Sequence, residues 1–254
     1  MSSHANVHVN APSDPGRLPM TLPLLAEKKR LGEPIVMVTA YDYPSARAVR
    51  RGLRTPLLIG DLPFGSYEVS DEQAITTAMR MVKEAGCDVV KLEGGGEASV
   101  KRARAIVGAG IPVMGHVGLT PQTSTALGGW KAQGRTAAAA IRIAAEALAL
   151  QEAGCFALVF EAIPSAVTDE LMGLLEIPVI GIGAGPATDG QVLVFHDLLG
   201  LGSRQPPKFV RQYADIGRIA TEAVAAFAAD VRAGTFPDDT ESYHGSAELG
   251  DSLS

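Results

Sequence analysis

Four charged side chains stand at the ends of short apolar runs, and their types suit one kind of chemistry. Asp61 closes the run Pro56-Leu57-Leu58-Ile59-Gly60 and precedes Leu62-Pro63-Phe64-Gly65. A carboxylate there is costly to desolvate unless it is paired or binds a metal; the plainer reading is a turn or helix-cap aspartate. Lys91 and Glu93 lie in Val89-Val90-Lys91-Leu92-Glu93-Gly94-Gly95-Gly96. Two residues apart on a strand, they point to the same side. They suit a pocket that takes an anion and a cation together, or else form a structural ion pair. The three glycines allow a ligand to approach the backbone closely. Glu161 ends Phe156-Ala157-Leu158-Val159-Phe160-Glu161. A glutamate beside such a run can have a raised pKa suited to general-base work, although strand-end glutamates are often simply solvated. His116, closing Val113-Met114-Gly115-His116, reads first as a satisfied core or rim residue.

No His/Cys/Asp set has zinc spacing, and no G-x-S-x-G elbow is present. A metal held by carboxylates alone is a hard one, Mg²⁺ before Zn²⁺. Together, Asp61, Glu93, Lys91 and Glu161 describe enolate chemistry on a 2-oxo acid. A divalent ion takes the keto and carboxylate oxygens, lysine neutralises the substrate carboxylate, and a carboxylate base removes the neighbouring proton.

Such residues need a scaffold that brings several strand ends together. Seven apolar runs recur: 35–40, 57–60, 89–92, 112–116, 157–160, 178–182 and 192–195. They do not alternate, so both faces should be covered, as in parallel sheets. Helical stretches intervene. One over 70–85 opens with Ser-Asp-Glu and stops at Gly86; one over 135–153 stops at Gly154; one over about 214–233 stops at Gly234. Repeated βα units mean a barrel or a doubly wound sheet. The run Gly181-Ile182-Gly183-Ala184-Gly185-Pro186 fails the dinucleotide spacing in every register, and there is no Walker-A loop. Polar residues at several strand ends (Asp42, Asp61, Lys91, Glu93, His116, Glu161) favour the barrel, whose strand ends share one mouth. Seven strands are one fewer than a closed barrel of this type contains.

Composition is that of an ordinary globular protein. The 254 residues carry 22 Lys+Arg against 28 Asp+Glu, a net charge of −6, which argues against nucleic acid or an anionic membrane as partner. Cys87 and Cys155 cannot build a disulfide framework and suit a reducing cytosol. The longest stretch free of Asp, Glu, Lys and Arg, 105–130, is broken by Pro, His and Gly, and no signal peptide is visible. A lead-in (1–33), with a short helix near 21–30, a single barrel domain (34–234) and an acidic tail (235–254) make up the expected organisation.

The segments Val38-Thr39-Ala40-Tyr41-Asp42-Tyr43, Asp61-Leu62-Pro63-Phe64, Val90-Lys91-Leu92-Glu93-Gly94-Gly95 and Gly115-His116-Val117-Gly118-Leu119-Thr120-Pro121-Gln122 resemble, in order, those of the ketopantoate hydroxymethyltransferase family. So do Gly128-Gly129-Trp130-Lys131-Ala132-Gln133-Gly134-Arg135, Glu161-Ala162-Ile163-Pro164, Gly181-Ile182-Gly183-Ala184-Gly185 and Thr188-Asp189-Gly190-Gln191. The resemblance implies a (β/α)₈ barrel of the phosphoenolpyruvate/pyruvate-binding kind. It implies Mg²⁺, 3-methyl-2-oxobutanoate and 5,10-methylenetetrahydrofolate, with 2-dehydropantoate as the product, in pantothenate biosynthesis. By the same resemblance Asp61 binds metal and substrate, Lys91 binds substrate, Glu93 is linked to the metal and Glu161 accepts the proton. Family members are cytoplasmic homo-oligomers, usually decamers.

One departure is large. Roughly forty residues of the family pattern, the second βα unit of the repeating kind, are missing near residue 48, where Ser45-Ala46-Arg47-Ala48 runs directly into Val49-Arg50-Arg51-Gly52. An Asp-Ser pair that binds metal and substrate in the family is lost with it. Two alternatives stand beside the transferase: an internally truncated, inactive barrel, and a related Mg²⁺-dependent 2-oxo acid lyase. The first strand either pairs with the Leu57 strand or leaves the barrel open.

Overall fold

A computed structural model of the chain describes residues 19–244, apart from 55, 127, 130, 203 and 204. The chain forms two compact units, Met1–Phe195 and His196–Ser254. The expected domain 34–234 spans that boundary.

The first unit carries the whole sheet. Its strands are β1 (Ile35–Thr39), β2 (Ile59–Asp61), β3 (Val89–Lys91), β4 (Val113–Gly118), β5 (Ala157–Glu161), β6 (Val179–Ile182) and β7 (Gly190–Val194). Each matches one of the seven apolar runs. All neighbours pair in parallel, in the order β1-β7-β6-β5-β4-β3-β2. That is the cyclic order of a barrel with one break, between β1 and β2. The sheet therefore stays open where the second unit is missing, and β1 does not pair with β2. Val36 on β1 and Leu58 just before β2 are exposed at this opening.

Between those strands runs a single helix, α2 (Tyr43–Leu53). Eleven residues rise about 16 Å, close to the length of β1, so one helix returns the chain to the start of the next strand. Asp42 caps it: the carboxylate accepts from the Ser45 backbone N–H at 2.8 Å, and the Ser45 hydroxyl accepts from the Asp42 N–H at 3.3 Å. Asp42 is therefore part of a capping box.

The other helices start and stop where their end residues dictate. In α1 (Leu22–Leu31) the Thr21 hydroxyl accepts from the Leu24 N–H, and Gly32 ends the helix in a left-handed conformation. In α3 (Asp71–Lys83) Ser70 caps the helix, and Asp71 and Glu72 lie in the positive first turn. Then come α4 (Glu97–Gly108), α5 (Ala137–Glu152, capped by Thr136) and α6 (Ser165–Met172).

Alternate strand residues sort into two layers. Val90, Leu92, Val117, Leu158 and Phe160 pack outward with Ala103, Ile106 and Ile143 of the helices. Met114, Ala157, Val159, Ile180 and Val192 face the other way and pack with Leu25 of α1. The second set marks the inner side, and by the period of two it carries Asp61, Lys91, Glu93, His116 and Glu161.

The second unit holds α8 (Ile216–Ala233), ended by left-handed Gly234, with Phe227 edge-on to Phe236 at 5.2 Å. The short helix α7 (Phe195–Leu199) begins at the boundary between the units. No helix among the described residues is long and apolar enough to cross a membrane.

Candidate active site

The C-terminal ends of four adjacent strands converge on one line of charge. Asp61, the last residue of β2, is in register with Lys91, the last of β3. The Lys91 ammonium donates to Asp61 Oδ1 at 2.7 Å and lies 3.9 Å from Glu93 Oε1. Glu93 Oε1 in turn lies 3.7 Å from His116 Nδ1, and His116 Nε2 lies 3.3 Å from Glu161 Oε2. Asp61, Lys91, Glu93, His116 and Glu161 thus form one continuous series across the strand ends.

Burial differs along the series. Lys91, Glu93, His116 and Glu161 are buried, whereas the Asp61 side chain is 53% exposed. The Asp61 end faces water, and His116, 2% exposed, is the most deeply buried member.

Electrostatics hold the buried part together. Burial alone pulls the His116 pKa down, but the neighbouring carboxylates of Glu161 and Glu93 outweigh it, so His116 stays protonated more readily than a free imidazole. For Glu93, burial pushes upward, and His116, Lys91 and the Gln122 N–H more than offset it, leaving its pKa lowered. Neither His116 contact has hydrogen-bond geometry. They are ion pairs at close range, strengthened by the low local dielectric.

The residue after Glu161 is held in an unusual backbone. Ala162 is left-handed at φ 51°, although it carries a Cβ. Its carbonyl accepts from the Gln133 N–H at 2.8 Å and its N–H donates to the Ile182 carbonyl at 2.8 Å. Local strain of this kind costs about 1–3 kcal/mol and persists where the surroundings fix it. Here it turns the chain sharply at the end of β5.

Of the three glycines after Glu93, Gly95 is required by packing. A Cβ on Gly95 would sit 2.4 Å from the Glu146 Cβ of α5. The absent side chain is what lets α5 lie against this loop.

His116 reads from the sequence as a core or rim residue. It is buried, but between two carboxylates, at an inner-face position two residues before the end of β4. Its place at the end of an apolar run was legible in the sequence, but its pairing with Glu161 comes from strand register. The Asp42 carboxylate is engaged with Ser45 at the start of α2.

The donor set bears on the implied Mg²⁺. No group of three His, Cys, Asp or Glu able to hold a metal occurs among the described residues. Asp61 and Glu93 do offer hard carboxylate oxygens around one ammonium. Mg²⁺ commonly takes only one or two protein carboxylates and completes its six positions with water and substrate. The two carboxylates fit such a site.

A parallel barrel-type sheet with acid, base and ammonium groups at its strand ends defines an α/β enzyme scaffold. The chain belongs to the ketopantoate hydroxymethyltransferase family, whose model matches residues 46–239. It is 44% identical over 267 residues to the 3-methyl-2-oxobutanoate hydroxymethyltransferase 1, mitochondrial, of Arabidopsis thaliana, covering 88% of this chain and 77% of the relative. A 3-methyl-2-oxobutanoate hydroxymethyltransferase of Moorella thermoacetica is 45% identical over 263 residues, with 88% and 97% covered. One of Nitratidesulfovibrio vulgaris is 52% identical over 191 residues, with 75% and 62% covered. For the Moorella relative, 88% of 254 residues is about 224, so about 39 of the 263 aligned positions have no counterpart here. That deficit has the size of the βα unit whose place lies open between β1 and β2.

Proposed function

We propose that this chain transfers a hydroxymethyl group from 5,10-methylenetetrahydrofolate to C3 of 3-methyl-2-oxobutanoate, giving 2-dehydropantoate for pantothenate biosynthesis in the cytoplasm. The observation that carries the reading is the unbroken line Asp61–Lys91–Glu93–His116–Glu161 at four strand ends.

Each residue then has one task. The Lys91 ammonium, buried and inward, neutralises the substrate carboxylate. Asp61, at the wet end, contacts substrate as it enters. Asp61 and Glu93 would hold Mg²⁺, which supplies Lewis-acid stabilisation of negative charge developing on the keto oxygen. Glu161 accepts the proton when the C3–H bond breaks. His116 holds the Glu161 carboxylate in place through its Nε2 side. The new bond joins C3 to the folate's methylene carbon; both C–N bonds of that methylene break, water supplies the hydroxyl oxygen, and tetrahydrofolate leaves with one proton on each freed nitrogen, one from C3 and one from the water. A homo-oligomer is part of the same proposal.

The test is deuterium exchange at C3 of 3-methyl-2-oxobutanoate, followed by proton NMR in D₂O with Mg²⁺, with and without the folate. Exchange should be fast in the wild type and fall to background in Glu161→Gln. Equal background rates in both would end the catalytic reading.

A second reading has its own observation. The sheet opening and the missing positions favour a barrel impaired by internal truncation. Inserting the Moorella relative's extra unit after residue 48 separates the two. An exchange rate that rises from background on insertion supports impairment; a wild type already at full rate refutes it.

A further inference from the structure

Glu93 has a second set of contacts, outside the line of charge. The loop joining β2 to α3, residues 62–70, is pinned from α4. Arg102 Nε donates to the Tyr67 carbonyl at 3.0 Å and Nη2 to the Glu68 carbonyl at 3.3 Å, and Nη1 pairs with Asp71. From α3 the Thr77 hydroxyl donates to the Ser66 carbonyl at 2.7 Å. The loop so held turns the Tyr67 ring inward, 3% exposed.

The Tyr67 hydroxyl donates to Gln122 Oε1 at 2.9 Å and accepts from the Glu93 N–H at 3.3 Å. Gln122 lies in a 3-10 turn (Pro121–Thr123) after β4. Its Nε2 donates to the Leu62 carbonyl at 2.9 Å. A carbonyl can only accept, so the amide orientation is fixed. The Gln122 backbone N–H then donates to Glu93 Oε2 at 3.0 Å. One oxygen of Glu93 is thereby anchored, and the other, Oε1, faces Lys91 and His116.

We propose that Tyr67 and Gln122 are positioning residues that aim the Glu93 carboxylate at the site; this rests on the reading of Glu93 as a functional carboxylate. A glutamate side chain has several free torsions, and outer partners commonly set how such a ligand is presented. Removing the Tyr67 hydroxyl leaves Gln122 Oε1 and the Glu93 N–H without a buried partner. The Gln122 side chain turns to recover a partner, and its backbone N–H moves off Glu93.

The test uses full-length Tyr67→Phe, which keeps the ring and its packing. Metal-free protein is titrated with Mn²⁺, following the free-ion EPR signal, and the variant is crystallised. The expected results are an affinity at least about tenfold weaker, the range that outer-shell changes produce, and Glu93 Oε2 displaced from the Gln122 amide. Thr21→Ala is the control, since it removes the cap of α1 without touching the 62–70 loop, Gln122 or Glu93, and its Mn²⁺ affinity should match the wild type. Unchanged affinity in Tyr67→Phe, equal weakening in Thr21→Ala, or an unmoved Glu93 would overturn the proposal. If the wild type itself binds no Mn²⁺, the metal reading fails, and the position of the Glu93 carboxylate alone decides the positioning.

Discussion

Replacing His116 by leucine removes the cation between Glu93 and Glu161 at nearly constant volume. His116 and both carboxylates are buried, at 3.7 and 3.3 Å. Breaking a buried pair by removing one partner costs about 3–5 kcal/mol, because a charge is left uncompensated. For a domain of this size, about 2–4 °C of Tm per kcal/mol turns that into a loss of roughly 6–20 °C. The pH dependence distinguishes this from a cavity effect. In the fold the His116 pKa lies above its ordinary 6.5, through Glu161 and Glu93 acting against burial. Its stabilisation is therefore fully present below about pH 6.5 and fades as pH rises through the folded value. The Glu93 pKa lies below its ordinary 4.5, so its contribution is present above about 4.5 and fades as pH falls through the folded value. Wild-type stability in chelator should peak between these limits, and the gap to His116→Leu should be largest near pH 6 and shrink toward pH 9. Denaturant melts followed by circular dichroism at both pH values give the answer. A loss below about 1 kcal/mol at pH 6, or one equal at both pH values, would refute ion pairing as the role of His116.

Three further outcomes follow from local geometry. Asp42→Ala should cost about 0.5–2 kcal/mol as a lost helix cap and leave Mn²⁺ affinity unchanged; a loss of binding in the EPR titration would place Asp42 in the metal site instead. Gly95→Ala puts a methyl 2.4 Å from the Glu146 Cβ, so α5 must shift, with a Tm loss matching about 1–3 kcal/mol of overpacking. The free edge of β1, Ile35-Val36-Met37-Val38-Thr39, carries no charge and no proline. Such an edge pairs readily with other chains, so Val36→Lys should lower concentration-dependent association measured by light scattering.

Sequence alone determined the repeating architecture. Continuous apolar runs bounded by Gly and polar turns can be buried only as parallel strands, and all seven appear. Because side chains on a strand alternate with a period of two, the sharing of one face by Lys91 and Glu93 was legible too. The count of seven runs was legible as well, and the resemblance to the family placed the missing unit near residue 48.

What only the tertiary structure decided was which residue meets which across strands. His116 read as a core or rim residue because its partners, Glu93 and Glu161, are 23 residues before it and 45 after it in the chain. Tyr67 and Gln122 carried no spacing signal: Arg102 and Thr77 hold the loop that turns Tyr67 inward, and Tyr67 and the Leu62 carbonyl in turn hold Gln122 beside Glu93. Asp42 read as one more polar residue at a strand end; in the fold its carboxylate caps the helix that begins beside it. Local pattern fixes the elements because it follows from short-range geometry. The site forms from contacts distant in sequence, and strand register and loop packing alone bring these together.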